Sequence, residues 1–183
     1  VVNDLNLNVR VAKKRVFGYA IPLYKNTPVR IYMTPEEASK LEEPIKLELA
    51  FTKAGKLSVK AEYVQDGEDQ EMVQAFDQLP AVLPTPVGVL SFTRGDSSCM
   101  EEEEIALRAT INTPIETAEE YMKDLSVSAS SQTTTIAKIS VKNTVKERGV
   151  DFVNRLVAFY NQDANDEKNE VAQKTAEFIE ERI

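Results

Sequence analysis

Residues 146–183, KERGVDFVNRLVAFYNQDANDEKNEVAQKTAEFIEERI, form one long helical pattern with no proline and no glycine after Gly149. Apolar residues recur in this pattern at spacings close to three and four, which places them on one narrow stripe of a helix. The stripe consists of Val153, Leu156, Val157, Tyr160, Ala164, Val171 and Phe178. We expect its first part, around Val153 and Leu156, to face a core.

The length of this pattern indicates how far the helix extends. At 1.5 Å per residue, a helix of about 35 residues is roughly 50 Å long, which exceeds the diameter of a small domain. A periodic pattern of more than about 25 residues is typical of a coiled coil or of a helix that connects compartments. We therefore expect the helix to project beyond the core, and we expect the chain to be a piece of a longer protein.

Composition excludes several classes of function. The 183 residues carry 22 Lys and Arg against 30 Asp and Glu, a formal charge of −8, whereas binding a nucleic-acid backbone requires a cationic face. Histidine is absent, so the commonest general base near neutral pH and the commonest transition-metal ligand are both missing. Cys99 is the single cysteine, which excludes a disulfide within the chain. We predict no nucleic-acid partner, no cofactor and no metal site.

The middle of the chain has the period of β-strands. Alternating apolar residues in 47–51 and 57–63 flank a short loop that contains Gly55, which predicts a β-hairpin. Further strands are predicted at residues 29–31, 87–93 and 105–111, and a short helix or loop at 69–79. These antiparallel strands need a cover on their apolar face, and we assign residues 27–113 to a β-rich subdomain.

The segment before this subdomain has a weaker pattern. Residues 1–8, VVNDLNLN, are similar to the last turns of a helix, and residues 9–26 carry a basic cluster of Arg10, Lys13, Lys14 and Arg15. We interpret residues 1–26 as the end of a truncated helix followed by a solvated connector. The alternative for the basic cluster is a patch that meets phosphates, lipid headgroups or an acidic glycan.

A helix start is marked at Thr113. Thr113 suits the N-cap, Pro114 suits the first helical position, and Glu116 completes a capping box. We predict a short helix to about residue 124, then two strands at 125–130 and 134–142, and then the long helix. Residues 114–183 thus form an α/β core, and the fold class is α+β: an antiparallel or mixed sheet base, a short helix and one long projecting C-terminal helix.

Residues 125–183, LSVSASSQTTTIAKISVKNTVKERGVDFVNRLVAFYNQDANDEKNEVAQKTAEFIEERI, resemble the periplasmic domain of chain-length determinant proteins. These are also called polysaccharide co-polymerases, and the similarity is to the exopolysaccharide transport type of Bacteroidetes, some of which are fused to a tyrosine kinase. A Leu-x-Val strand, a Ser/Thr-rich turn, a second strand and a helix with Asn-x-Leu and Tyr-Asn carry the resemblance. The residues at these positions are Leu125, Val127, Ile136, Ile139, Asn154, Leu156, Tyr160 and Asn161. The chain departs from the family at residues 148–151, where a Pro-x-x-Ala helix start is more usual.

The resemblance implies a function. Such a domain would regulate the chain length and export of capsular polysaccharide or exopolysaccharide as a homo-oligomeric scaffold in the periplasm. It would be anchored in the inner membrane by segments outside this sequence, beside the polymerase and the outer-membrane export channel. The family works by shape, so Tyr160 and Asn161 are expected to pack the helix onto the strand pair, and no catalytic residue is implied here.

Two alternatives come from other classes. A glycan-binding β-module would need aromatic side chains on an exposed sheet face, and the candidates are Tyr32, Phe51, Tyr63 and Phe92. A glycosidase would need two carboxylates in a cleft, roughly 5 to 9.5 Å apart, drawn from residues 101–104 and from Asp163, Asp166, Glu167 and Glu170. We interpret these acids as a solvated connector and a salt-bridged helix face. Arg148 and Arg155 are candidates to contact polysaccharide or a neighbouring subunit, with surface salt bridges as the default role.

Overall fold

The computed structural model describes residues 1–14, 19–98, 100–129 and 136–180. This part of the chain confirms an α+β fold with antiparallel sheets, short helices and one long C-terminal helix. The elements are β1 (Val9–Lys14), β2 (Ala20–Leu23), β3 (Val29–Tyr32), α1 (Pro35–Ala38), β4 (Ile45–Thr52), β5 (Leu57–Gln65), β6 (Glu68–Phe76), β7 (Ala81–Thr85), β8 (Gly88–Arg94), β9 (Glu104–Ile111), α2 (Pro114–Asp124), β10 (Leu125–Ala129), β11 (Ala137–Val141) and α3 (Lys146–Glu180).

Two sheets enclose the main core. The larger has six antiparallel strands in the order β2-β1-β9-β4-β5-β6, and the smaller has three in the order β3-β8-β7. Their apolar residues belong to one buried cluster, in which Phe51 of the larger sheet and Phe92 of the smaller are both fully buried. Side chains along β4 alternate between buried and exposed, as period two requires for a sheet with one solvated face. The strands therefore form a β-sandwich.

The predicted hairpin is confirmed. Strand β4 pairs with β5 in a register that places Phe51 opposite Leu57, and Gly55 in the connecting loop has a φ of +95°, a conformation that glycine adopts without strain. The strands predicted at 29–31, 87–93 and 105–111 correspond to β3, β8 and β9. Local alternation and turn chemistry were sufficient signals for these elements.

Residues 69–79 were predicted as a short helix or loop, and this was wrong. They lie mostly in β6, which follows β5 through a tight turn at Asp66 and Gly67, where φ is +54° and +76°. Strand β6 is an edge strand whose side chains are mostly exposed, with only Met72 and Phe76 partly buried against the core. Because few of its residues are buried, its sequence lacks the alternation that marks a half-buried strand.

The N-terminal residues also differ from the prediction. Residues 2–8 form successive turns and not a helix end, with a hydrogen bond of 3.0 Å from Leu7 N to Val2 O. Residues 9–14 and 20–23 form β1 and β2 of the larger sheet and not a connector, and β1 pairs with β9. Val9 and Val11 point into the core, so Arg10, which lies between them, is on the outer face of β1. The division of the chain at 26 and 113 stays a prediction.

A second, smaller core joins the N-terminal turns to α2, the β10–β11 hairpin and the start of α3. Its buried members are Val2, Leu7, Tyr121 and Phe152. The predicted helix cap is confirmed, since Thr113 Oγ1 accepts a hydrogen bond of 3.2 Å from Glu116 N. Gly149 lets α3 lie close to the end of the hairpin, because a Cβ at this position would be 3.3 Å from Asn143 Cβ, which is tighter than an ordinary contact. This close approach fixes the first turns of α3 on the hairpin.

The rest of α3 leaves the core. Phe152 is buried, while Val153 and Leu156 pack against the second core and stay partly exposed. From Val157 to Ile179 each side chain is exposed except that of Ala164, which is partly buried. In the described parts of the chain, no helix is both long and apolar enough to span a bilayer.

Candidate functional site

A groove lies between the outer face of the larger sheet, α2 and the start of α3, and its volume is about 530 Å³. We call it the basic groove, because its lining has four cationic side chains and two carboxylates in a chain whose formal charge is −8. These six residues are Arg10, Arg108, Lys142, Arg148, Glu120 and Asp124. The lining has a formal charge of +2, and Arg10 is paired with Glu120 and Arg108 with Glu48 of β4.

The sheet register and α2 together build the groove. Ala12 of β1 lies opposite Arg108 of β9, and Arg10 lies opposite Thr110, so the polar members of both pairs share the outer face. Helix α2 lies beside this face, where Glu120 forms an ion pair with Arg10. The groove thus combines residues that are about 100 positions apart in the sequence.

Arg148 is the buried charge of the groove. Its exposed fraction is 8%, and its Nε atom has no hydrogen-bond partner in the described part of the chain. Its guanidinium carbon lies 5.2 Å from the centre of the Tyr24 ring, within the range of a cation–π contact. Burial lowers the pKa of Arg148 from its ordinary value, because desolvation disfavours the charged form. The interpretation of Arg148 as a residue that forms a surface salt bridge is therefore wrong.

Asp151, three residues after Arg148 on α3, is already engaged. Asp151 lies 2.7 Å from Lys25 Nζ, and it also accepts a hydrogen bond from the Tyr24 hydroxyl. Burial, together with this hydrogen bond, raises the pKa of Tyr24 to about 12. Lys25, Tyr24 and Asp151 thus tie the end of β2 to α3, and Arg148 packs on the ring of Tyr24.

We expect the Asp151→Asn variant to be less stable than the wild type by up to about 1 kcal/mol near neutral pH. The hydrogen bond from Lys25 lowers the pKa of Asp151 below its ordinary value of 3.8. Stability from this group is therefore present above the unfolded pKa and is lost as the pH falls through the folded pKa. Urea unfolding at about pH 7 and about pH 3 should show the difference shrinking in acid, whereas Asp163→Asn, on the exposed part of α3, should change little at either pH.

The exposed part of α3 carries a regular apolar row. Val157, Ala164, Val171 and Phe178 are each seven residues apart, the spacing of a coiled-coil seam. Val171 is 60% exposed, although a valine is usually buried. Charged residues flank this row, and Lys174 pairs with Glu170 at 2.5 Å, one turn apart.

The residues that carry the family resemblance do not form one cluster. Leu125 and Leu156 pack against the second core, and Val127 pairs with Ile139 across the hairpin. The remaining members, Ile136, Asn154, Tyr160 and Asn161, are exposed. Tyr160 was expected to pack α3 onto the hairpin, and this was wrong, because its exposed fraction is 72%.

The aromatic candidates for glycan binding are mostly buried. Phe51 and Phe92 are fully buried in the sandwich and Tyr63 is 7% exposed, so only Tyr32, at 48%, is available to a ligand. Burial in the core explains the first three, because they lie on the inner face of their strands. These four residues therefore do not form an exposed aromatic surface.

The acidic candidates are exposed and lie on separate elements. Residues 101–104 lead into β9, and Asp163, Asp166, Glu167 and Glu170 lie on the exposed part of α3. Among the described residues, no group of three or more His, Cys, Asp or Glu side chains could hold a metal ion. Arg15, Cys99 and residues 130–135 lie outside the described residues.

No known protein family matches the chain, and no curated protein matches it. The functional evidence is therefore the sequence pattern together with the exposed helix and the basic groove.

Proposed function

We propose that this chain is the periplasmic domain of an inner-membrane protein that regulates the chain length and export of capsular polysaccharide or exopolysaccharide. It acts as a homo-oligomeric scaffold beside the polysaccharide polymerase and the outer-membrane export channel. Segments outside this sequence anchor it in the membrane, and this part of the protein performs no catalysis.

The observation that carries the proposal is the exposed part of α3. Helices in proteins owe most of their stability to the packing of an apolar face. Residues 157–179 nevertheless pack on little of their own chain. We infer that this surface packs on α3 of a second copy of the chain. The apolar row has the seven-residue spacing of a coiled-coil seam, and every copy presents the row in the same register.

The mechanism follows from this assembly. The sandwich and the second core form the base, and α3 extends beyond its packed first turns by more than about 30 Å, at about 1.5 Å per residue. Copies arranged side by side place their helices in a ring. The dimensions of this ring limit the length that a growing polysaccharide reaches before it leaves the assembly. Chain length then depends on subunit geometry and not on a reacting group.

Two charges in the apolar row test this function in the full-length protein in its own host. We expect Ala164→Glu/Val171→Glu to reduce cross-linking between subunits and to broaden the length distribution of the surface polysaccharide, seen on a gel. Glutamates facing each other in a seam repel and cannot be buried without cost. The matched control, Gln162→Glu/Asn169→Glu, adds the same charge at the same separation on the other side of the helix. Wild-type polysaccharide lengths in both variants would refute the proposal.

A further inference from the structure

We propose that the basic groove binds the carboxylate of an acidic sugar unit, with Arg148 contacting the carboxylate. This inference rests on the proposed function, because it names the chemical class of polysaccharide that the domain meets.

The first support is that Arg148 is buried and has no carboxylate partner in the described part of the chain. Breaking or omitting a buried ion pair is costly, because one charge remains without compensation. Among the described residues, the charged or titratable groups that act on Arg148 are Tyr121, Arg10 and Tyr24, and none of these three is a carboxylate. Asp151 is held by Lys25. A bound anion would supply the missing partner, and the planar guanidinium is suited to a carboxylate.

The second support is the position of Arg148 in the first turn of α3. Free backbone N–H groups and the helix dipole favour an anion near a helix start. Lys142, which is exposed, adds a further positive charge to the lining of the groove.

The composition of the groove favours a sugar carboxylate over phosphate. Glu120 and Asp124 lie in the same lining, where they would repel a dianion but could accept hydrogen bonds from sugar hydroxyls. The groove volume of about 530 Å³ lies within the range usual for small-ligand sites, roughly 300 to 1,000 Å³. A singly charged group with several hydroxyls therefore fits the lining.

Titration calorimetry with trigalacturonate tests the inference on the intact chain. We expect Arg148→Gln to weaken binding at least about tenfold, as loss of a charged hydrogen bond implies. Arg155→Gln removes the same charge from α3 outside the groove and should leave the affinity unchanged. If Arg148→Gln does not fold, Lys142→Gln, at an exposed groove residue, should still weaken binding.

Four results would overturn the inference. The first two are no binding of trigalacturonate and an equal loss of affinity in the Arg148→Gln and Arg155→Gln variants. The third is that neutral maltotriose binds as tightly as trigalacturonate. The fourth is that inorganic phosphate or phosphatidylglycerol vesicles bind as tightly as trigalacturonate or more tightly. A host that carries Arg148→Gln could make polysaccharide of normal length while one that carries Ala164→Glu/Val171→Glu makes altered lengths. This result would refute the sugar site and support the scaffold function.

Discussion

The Leu107→Lys variant is expected to lose cooperative folding. Leu107 is 1% exposed on β9, which lies between β1 and β4 in the larger sheet. A lysine there places a charge in the sandwich core at a cost of more than about 4 kcal/mol, a large share of the 5 to 15 kcal/mol that stabilises a typical domain. Urea unfolding followed by circular dichroism measures the effect.

The control is the adjacent residue. Ala106 lies on the outer face of β9 and is exposed, so Ala106→Lys should change the free energy of unfolding by no more than about 0.5 kcal/mol. Cooperative unfolding of Leu107→Lys at the wild-type midpoint would show that the two sheets do not enclose the core as described.

Local patterns predicted the elements whose signals are local. The β4–β5 hairpin has alternating apolar residues on both strands and Gly55 between them. Thr113 and Glu116 mark the cap and the first turn of α2. In each case a few neighbouring residues determine the structure. The long helix was predictable for the same reason, since propensity and period agree over its whole length.

Elements that depend on distant partners were not predictable in this way. Strand β1 is held by β9, about 100 residues later, and β6 is an edge strand with little buried surface. Arg148 was recognised only as a possible contact residue, because its burial requires Tyr24 and Tyr121 to come together around it. No local signal in the sequence distinguishes this arginine from an exposed one.

The Phe152→Ala variant is expected to destabilise the chain by about 3 to 5 kcal/mol. Phe152 is 6% exposed, and its ring stacks on Tyr121 with centroids 4.4 Å apart, so truncation leaves a cavity where α3 meets α2. Tyr160→Ala, two turns later and 72% exposed, should cost no more than about 0.5 kcal/mol. Equal losses in urea unfolding would mean that α3 is held along its length, and the exposed helix on which the scaffold proposal depends would be excluded.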